Sequence, residues 1–158
     1  VSGNPGTPSP TERAHLRRAA AGDVPAIAGL LAELEHPTAT AVLAANLAHF
    51  ERLWPQHAAF VAELDGAVVA LVTVSAVAML HRTSPLGRIS SFVVAAHLTG
   101  GGLGTRLLRH AEEHLASLGC GHVEVTSAVR RERAHRFYLE RGYVVQGVRL
   151  LRAFADHE

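Results

Sequence analysis

The sequence predicts a mixed α+β domain, and three observations carry that expectation. Two apolar, β-branched runs, Ala59 to Leu64 and Val68 to Val77, meet across Asp65-Gly66, a strong hairpin signal. A further run, with Ile89, Phe92, Val93 and Val94, reads as a buried strand. It passes through Gly100, Gly101, Gly102 and Gly104 into apolar positions at Leu103, Leu107, Leu108, Ala111 and Leu115, the three-and-four spacing of an amphipathic helix. Strands and helices together follow the order β, α, α, β, β, β, α, β, α, β.

Each element has its own signal. Residues 1–11, rich in Gly, Pro and Ser, read as a mobile tail before a single domain over 12–158. Ala14 to Ala19 reads as a first strand. Asp23 is the expected N-cap of a helix with Pro25 in its first turn and a stripe of Ile27, Leu30, Leu31 and Leu34, ended by Pro37. A second helix is expected from about Thr40, carrying Val42, Leu43, Leu47, Phe50 and Leu53 before Pro55 stops it. The hairpin follows, its second strand long and nearly continuous and so expected to be covered on both faces. Met79 to Gly87 reads as a loop. The helix after the glycines is expected to run to about Leu118, closed by Gly119, with a strand over His122 to Thr126. A short helix then places Ala134, Phe137 and Tyr138 on one face and ends at Gly142, and Tyr143 to Leu151 reads as a last strand bent at Gly147.

Composition removes several function classes. A net charge of +1 with histidines neutral implies no extended basic surface for nucleic acid. The chain has no lysine, and its 15 basic residues are arginines spread along it, clustering only at Arg130, Arg131 and Arg133. One cysteine, Cys120, excludes an internal disulfide framework and fits a reducing compartment. No run approaches the roughly 20 apolar residues of a membrane span, and no basic-then-apolar leader is visible, so a cytoplasmic location and no membrane partner are expected.

Strand, glycine turn and helix N-terminus form a geometry that holds phosphate, because backbone N–H groups point outward with the helix dipole behind them. A Walker loop needs a lysine and is excluded. A dinucleotide fingerprint fails on spacing, since Gly100 and Gly102 are followed by Thr105, and Gly102 and Gly104 by Leu107. What remains is three residues and then Gly102-x-Gly104 after a strand. This resembles the pyrophosphate loop of the GCN5-related N-acetyltransferase (GNAT) superfamily, Q/R-x-x-G-x-G/A, with Thr99 at the Q/R position. Ala134 to Tyr143 is similar to that superfamily's A-x-x-F-Y-x-x-x-G-F/Y signature.

The resemblance implies a central mixed, mostly antiparallel sheet of six to seven strands, splayed between the fourth and fifth, flanked by four helices. It implies an acetyl-CoA-dependent N-acetyltransferase acting on the primary amine of a small molecule, by direct attack. Aminoalkylphosphonate and aminoglycoside N-acetyltransferases are two groups it suggests. It places the pantetheine arm against Phe92, Val93 and Val94, and the pyrophosphate on Thr99, Gly100, Gly101, Gly102, Leu103, Gly104 and Thr105. Arg133 and Phe137 are further cofactor contacts. Tyr138 becomes the general acid for the leaving thiolate; a phenol near pKa 10 against a thiol near 8.5 makes that transfer only mildly uphill. A core aromatic is the competing reading of Tyr138. Relatives often carry a carboxylate base where this chain has Ser90, with Ser91 beside it, leaving His81, Glu33 or Glu35 acting through water. Ala128 replaces a frequent asparagine. These departures keep open a catalytically silent acyl-CoA-binding sensor.

Other patterns weigh less. His110-Ala111-Glu112-Glu113-His114 fits an inverted zinc-peptidase motif, but in a chain with 11 histidines a solvated boundary pair is the plainer reading, and no metal is expected. Cys120 reads as a structural thiol rather than a nucleophile. His36, His81 and Trp54 are candidates for an acceptor pocket, and the last strand is a candidate for pairing with a second copy in a homodimer.

Overall fold

The computed structural model describes residues 8–154, which fall into two compact units, the first ending at Glu124 and the second beginning at Val125.

The first unit is a sheet in the order β1-β2-β3-β4-β5, with helices packed on it. Strand β1 (His15–Arg18) pairs antiparallel with β2 (His57–Leu64), and β2 with β3 (Ala67–Val77). The β2–β3 turn is Asp65-Gly66, with φ of 51° and 82°. Two positive φ values match the twist of the flanking strands, which is why this dipeptide closes a two-residue hairpin. Strand β4 (Leu86–Val94) continues antiparallel beside β3, and the register slips between Thr73 and Val74 so that Ser90 is the extra residue of a bulge. Strand β5 (His122–Val125) lies beyond β4. Gly121 N–H meets Pro85 C=O at one level, and Arg88 meets Glu124 further on, so β4 and β5 run in the same direction.

Helix α1 (Pro10–Arg13) is a single turn capped by Ser9, whose hydroxyl accepts from Glu12 N–H while the Glu12 carboxylate accepts from Ser9 N–H. Helix α2 (Val24–Glu33) buries Ile27, Leu30 and Leu31, and α3 (Thr40–Arg52) follows. Helix α4 (Leu103–Ser117) inserts Leu107, Leu108, Ala111 and Leu115 into the core. Gly87 permits that approach: a Cβ there would lie 2.8 Å from Leu115 Cδ1 and 3.3 Å from the His122 carbonyl oxygen. The second unit holds α5 (Glu132–Leu139).

Several expectations are corrected. Five strands are present among the described residues, not six to seven, and five α-helices rather than four. The missing strand is Tyr143 to Leu151: this segment is irregular, and Val144, Val145, Val148, Leu150 and Leu151 are exposed. An apolar run becomes a strand only beside a neighbour that takes its hydrogen bonds, and no strand lies in 126–154. Strand β4 opens at Leu86, inside the stretch read as a loop, because Leu86 and Gly87 pair with Val77 and Ala76. Within the stretch read as a tail, Pro10 begins α1; residues 1–7 lie outside the described residues. Asp23 sits at the start of α2 but caps nothing there. Its carboxylate accepts from Ala20 N–H and from both terminal nitrogens of Arg17 at 2.7–2.8 Å. This fork holds the Asp23 carboxyl below its ordinary pKa. Of the apolar stripe on α3, Val42 and Leu53 are exposed, while Leu43, Leu47 and Phe50 are half-buried.

Candidate active site

The glycine turn is where local sequence demand and geometry coincide. After β4, Ala96–Leu98 makes a 3-10 turn, and Thr99 donates its hydroxyl to the Ala96 carbonyl at 2.8 Å. Gly100 and Gly102 then take φ of +87° and +89°, values that L side chains rarely adopt. Gly102 is the N-cap of α4 and offers no side-chain acceptor to the helix, so the first turn at Leu103, Gly104 and Thr105 is capped by nothing from that residue. The turn is braced from behind. Thr11 donates its hydroxyl to the Gly101 carbonyl, and Arg106 of α4 donates to the carbonyls of Thr11 and Ala14. Phe92 and Val94 are half-buried, and Val93 is buried.

Strand β4 has nine residues and β5 four, with their first residues alongside one another. Strand β5 therefore stops short of the far half of β4, and no strand runs beside Val93 and Val94 on that side among the described residues. The sheet thus presents an open backbone edge that leads into a glycine turn and an N-terminal helix end. One contiguous segment, Phe92 to Thr105, contains all the cofactor residues expected in this unit.

The face of the sheet near this edge is polar. Thr73 and Ser90 place their hydroxyl oxygens 2.9 Å apart at the bulge. Arg88 and Glu124 form an ion pair across β4 and β5, Nε to Oε1 2.6 Å, with side chains 51% and 42% exposed. Neither residue was singled out from the sequence. The available signal was the exposed position of Arg88 between buried Gly87 and Ile89, which becomes informative only once β5 is known to lie alongside.

The other candidates distribute differently. The Glu33 carboxylate accepts from the Ala96 N–H at 3.0 Å, a fixed structural bond just past β4. Glu35 carries φ of 64° after α2, and His36 and His81 are exposed. His110 and His114 are not the solvated pair the sequence suggested. Their rings pack 4.7 and 5.0 Å from Phe60, and His114 also lies 5.1 Å from Trp54. Desolvation lowers the His110 pKa. No group of three metal-ligating side chains occurs among the described residues. Cys120 is half-buried, and burial raises its thiol pKa, as a structural thiol requires.

In the second unit, Arg133, Phe137 and Tyr138 share α5. Arg133 is exposed and Phe137 is half-buried beneath the Arg141 guanidinium, 3.8 Å from the ring centre. Tyr138 is 7% exposed, with its ring 5.2 Å from Phe137 and 5.3 Å from Tyr143. Burial pushes its phenol well above the ordinary range. The group therefore holds its proton more tightly than the ordinary phenol assumed above. Gly142, at φ +86°, follows the helix end, where Tyr143 N–H reaches the Tyr138 carbonyl.

Comparison with known proteins gives the family and the fold. The family model described as "Acetyltransferase (GNAT) family" matches residues 29–143. The aminoalkylphosphonate N-acetyltransferase of Salmonella typhimurium (strain LT2) is 33% identical over 89 residues, 56% of this chain and 58% of that protein. The match thus spans little more than half of the relative's length. A transcriptional regulator from Bacillus halodurans C-125 superposes with a TM-score of 0.80 at 21% identity, covering 89% of this chain and 99% of that one. An aminoglycoside N-acetyltransferase solved in complex with CoA gives a TM-score of 0.79 at 13% identity, covering 90% and 95%. At these identities the two structures speak to fold alone.

Proposed function

The chain belongs to the acetyltransferase (GNAT) family, and from that premise we propose that it transfers an acetyl group from acetyl-CoA to the primary amine of a small molecule. The observation that carries the reading is the open edge of β4 running into a glycine turn whose helix has a glycine N-cap. The fit to the cofactor can be judged on the chain alone. An amide-rich arm needs a strand edge without a neighbour, and a pyrophosphate needs backbone N–H groups that no Cβ or capping side chain shields. Both are present. The relative that acts on aminoalkylphosphonates supports a small-molecule acceptor, and the structural neighbour solved with CoA supports the cofactor class.

Acetyl-CoA, when bound, supplies an acetyl group activated as a thioester. The chain's part is to bind, orient and manage protons. Backbone groups of Val94, turned away from β3, would extend the sheet toward the amide-rich arm, with Val93 holding the strand to Leu71. The N–H groups of the segment from Gly100 to Thr105 would hold the phosphates, with the α4 dipole behind them. Ala95 N–H reaches the Val69 carbonyl and Val93 pairs with Leu71 in the same register, so the Val93 N–H is taken up by β3; the N–H that would donate to the carbonyl oxygen on which charge develops is that of Val94, turned toward the open edge. In this reading Phe137 and Arg133 would add cofactor contacts, and Tyr138 Oη would give its proton to the departing sulfur, while the attacking nitrogen loses its proton to water, from which the phenolate is reprotonated. Its raised pKa keeps it protonated at neutral pH but makes the transfer steeper than for an exposed phenol. Thr99 makes no contact with the phosphates in this scheme, because its hydroxyl is already committed to Ala96.

Thiol release from acetyl-CoA, measured with the full chain across a panel of primary amines, tests the proposal. Turnover that requires both substrates is the expected result. Tight CoA binding with no turnover on any amine would replace it with a silent acyl-CoA sensor.

A further inference from the structure

We propose that Arg88 and Glu124 form the recognition pair for the acceptor, and that the acceptor is an aminoalkyl acid. Such a molecule carries an ammonium at one end and a phosphonate, phosphate or carboxylate at the other. This deepens, and rests on, the acetyl-transfer reading above.

Four observations meet at this pair. First, it joins β4 to β5, and Arg88 stands two residues before the bulged Ser90. Second, Glu124 is the single acidic residue on β3, β4 and β5, so it is the one carboxylate that these strands offer an ammonium. Third, guanidinium groups outnumber it. His122, two residues before Glu124 and so on the same face of β5, has its Nδ1 3.4 Å from Nη1 of Arg82 in the β3–β4 loop. Two guanidinium groups thus stand at this end of β4 and β5, Arg88 on the Glu124 carboxylate and Arg82 on the His122 imidazole. Fourth, the hydroxyls of Thr73 and Ser90 continue the polar strip toward the far half of β4, and Ser75 faces Arg88 across β3.

The fold gains little from this arrangement. An exposed ion pair adds little to stability, since both charges remain hydrated and salt screens them. A zwitterion can take over both partners at once. Its ammonium replaces the guanidinium on Glu124, and its anionic end accepts the fork of Arg88, with Arg82 adding positive potential. Arginine suits the second task because its planar fork matches phosphonate and carboxylate oxygens. An alkylammonium with no anionic end would satisfy Glu124 and leave Arg88 without a partner, so the site discriminates by what remains unpaired.

The test uses the full chain with acetyl-CoA, comparing 2-aminoethylphosphonate and β-alanine with propylamine. The wild-type kcat/KM should favour the acids by about 10-fold or more, the scale of one charge-assisted hydrogen-bonded contact. Arg88→Met should bring that ratio close to one, with Arg88→Lys recovering part of it. Glu124→Gln should raise KM for all three amines by about 10- to 100-fold, because it removes binding common to ground and transition states. Thermal unfolding of the variants should stay near wild type, as an exposed pair requires. In parallel, calorimetric titration of 2-aminoethylphosphonate onto the CoA-saturated protein separates the two readings. Binding that depends on Arg88 and Glu124 without any turnover would support the recognition pair and overturn acetyl transfer. Turnover with no preference for acids, or a preference untouched by either substitution, would overturn the recognition pair and leave acetyl transfer standing. Absence of binding and turnover for both acids would also overturn it.

Discussion

The neighbouring glycines Gly101 and Gly102 make a sharp comparison, because the structure gives them different reasons to be glycine. Gly102 has φ +89°, and a Cβ there would meet nothing closer than Thr11 at 3.9 Å. Space is therefore not the obstacle to alanine; the backbone is. Holding an L residue in the left-handed region costs about 1–2 kcal/mol. Gly101 lies outside that region, and its Cβ would sit 3.6 Å from the Leu98 carbonyl oxygen, an ordinary contact. There, Gly→Ala trims the freedom of the unfolded chain and should be neutral or stabilising by up to about 1 kcal/mol. The two variants should differ by roughly 2 kcal/mol, or about 4–8 °C in Tm for a chain of this size. Differential scanning calorimetry on Gly101→Ala and Gly102→Ala reads this directly. CoA affinity, titrated alongside, should fall for Gly102→Ala, because the N-cap that leads into α4 is displaced. Equal Tm changes for the two variants, or a larger loss at Gly101, would refute the assignment of strain to Gly102 and with it the geometry proposed for the phosphate turn.

Three further outcomes are expected. Tyr138→Phe should lower kcat by about 10²–10⁴-fold with CoA affinity kept, as stopped thiol release against calorimetric binding would show; unchanged turnover removes the phenol from the mechanism. Gly87→Ala should cost about 1–3 kcal/mol by overpacking, since Leu115, with which its Cβ collides, is fully buried and a backbone oxygen closes the other side; denaturant unfolding would register it as a lower midpoint. Asp23→Asn should destabilise by about 1–3 kcal/mol at neutral pH, because it weakens the charged hydrogen bonds to the partly exposed Arg17, which keeps the Glu63 carboxylate at 2.8 Å. The Asp23 carboxyl has its pKa depressed in the fold, so its contribution is complete above the unfolded value near 3.9 and is lost as pH falls through the folded value. The stability gap between wild type and Asp23→Asn should therefore close in acid, and parallel curves from pH 6 to pH 2 would count against the Arg17 pairing.

What could be read from the sequence follows from how local each physical demand is. Asp65-Gly66 and the Gly100–Gly104 turn were legible because positive φ is a demand on single residues, met by a short list of side chains. The stripe of α4 was legible because a helix repeats its own neighbours every turn. Asp23 was read as a helix cap from its place before Val24-Pro25, but its partner is Arg17 on β1, reached only after the chain turns back. The last strand failed for the converse reason: Val144, Val145 and Val148 have the residue preference of a strand, and preference alone supplies no hydrogen-bonding neighbour. His110 and His114 looked solvated because the helix pattern places them beside the apolar stripe. The Phe60 ring that covers them comes from β2, fifty residues earlier.

The same distinction separates the two ends of the proposed site. At the cofactor end, the proposed recognition is carried by backbone: the open edge at Val94 and the N–H groups after Gly102. Side chains there can change while the site persists, which is why Thr99 can spend its hydroxyl on Ala96 without loss of the turn. At the acceptor end, recognition falls to side chains contributed by different strands, Arg88 from β4 and Glu124 from β5, and these can be exchanged without disturbing a hydrogen-bonded ladder. A serine at position 90 then need not mean that an acidic group is missing. The charge that an ammonium requires has a place one strand away, held by an arginine that also suits the opposite end of the same molecule. Moving the carboxylate back, as Ser90→Glu together with Glu124→Gln, should restore amine binding relative to Glu124→Gln alone. A double variant as weak as the single would show that the strand position of the carboxylate matters, and not merely its presence on that face.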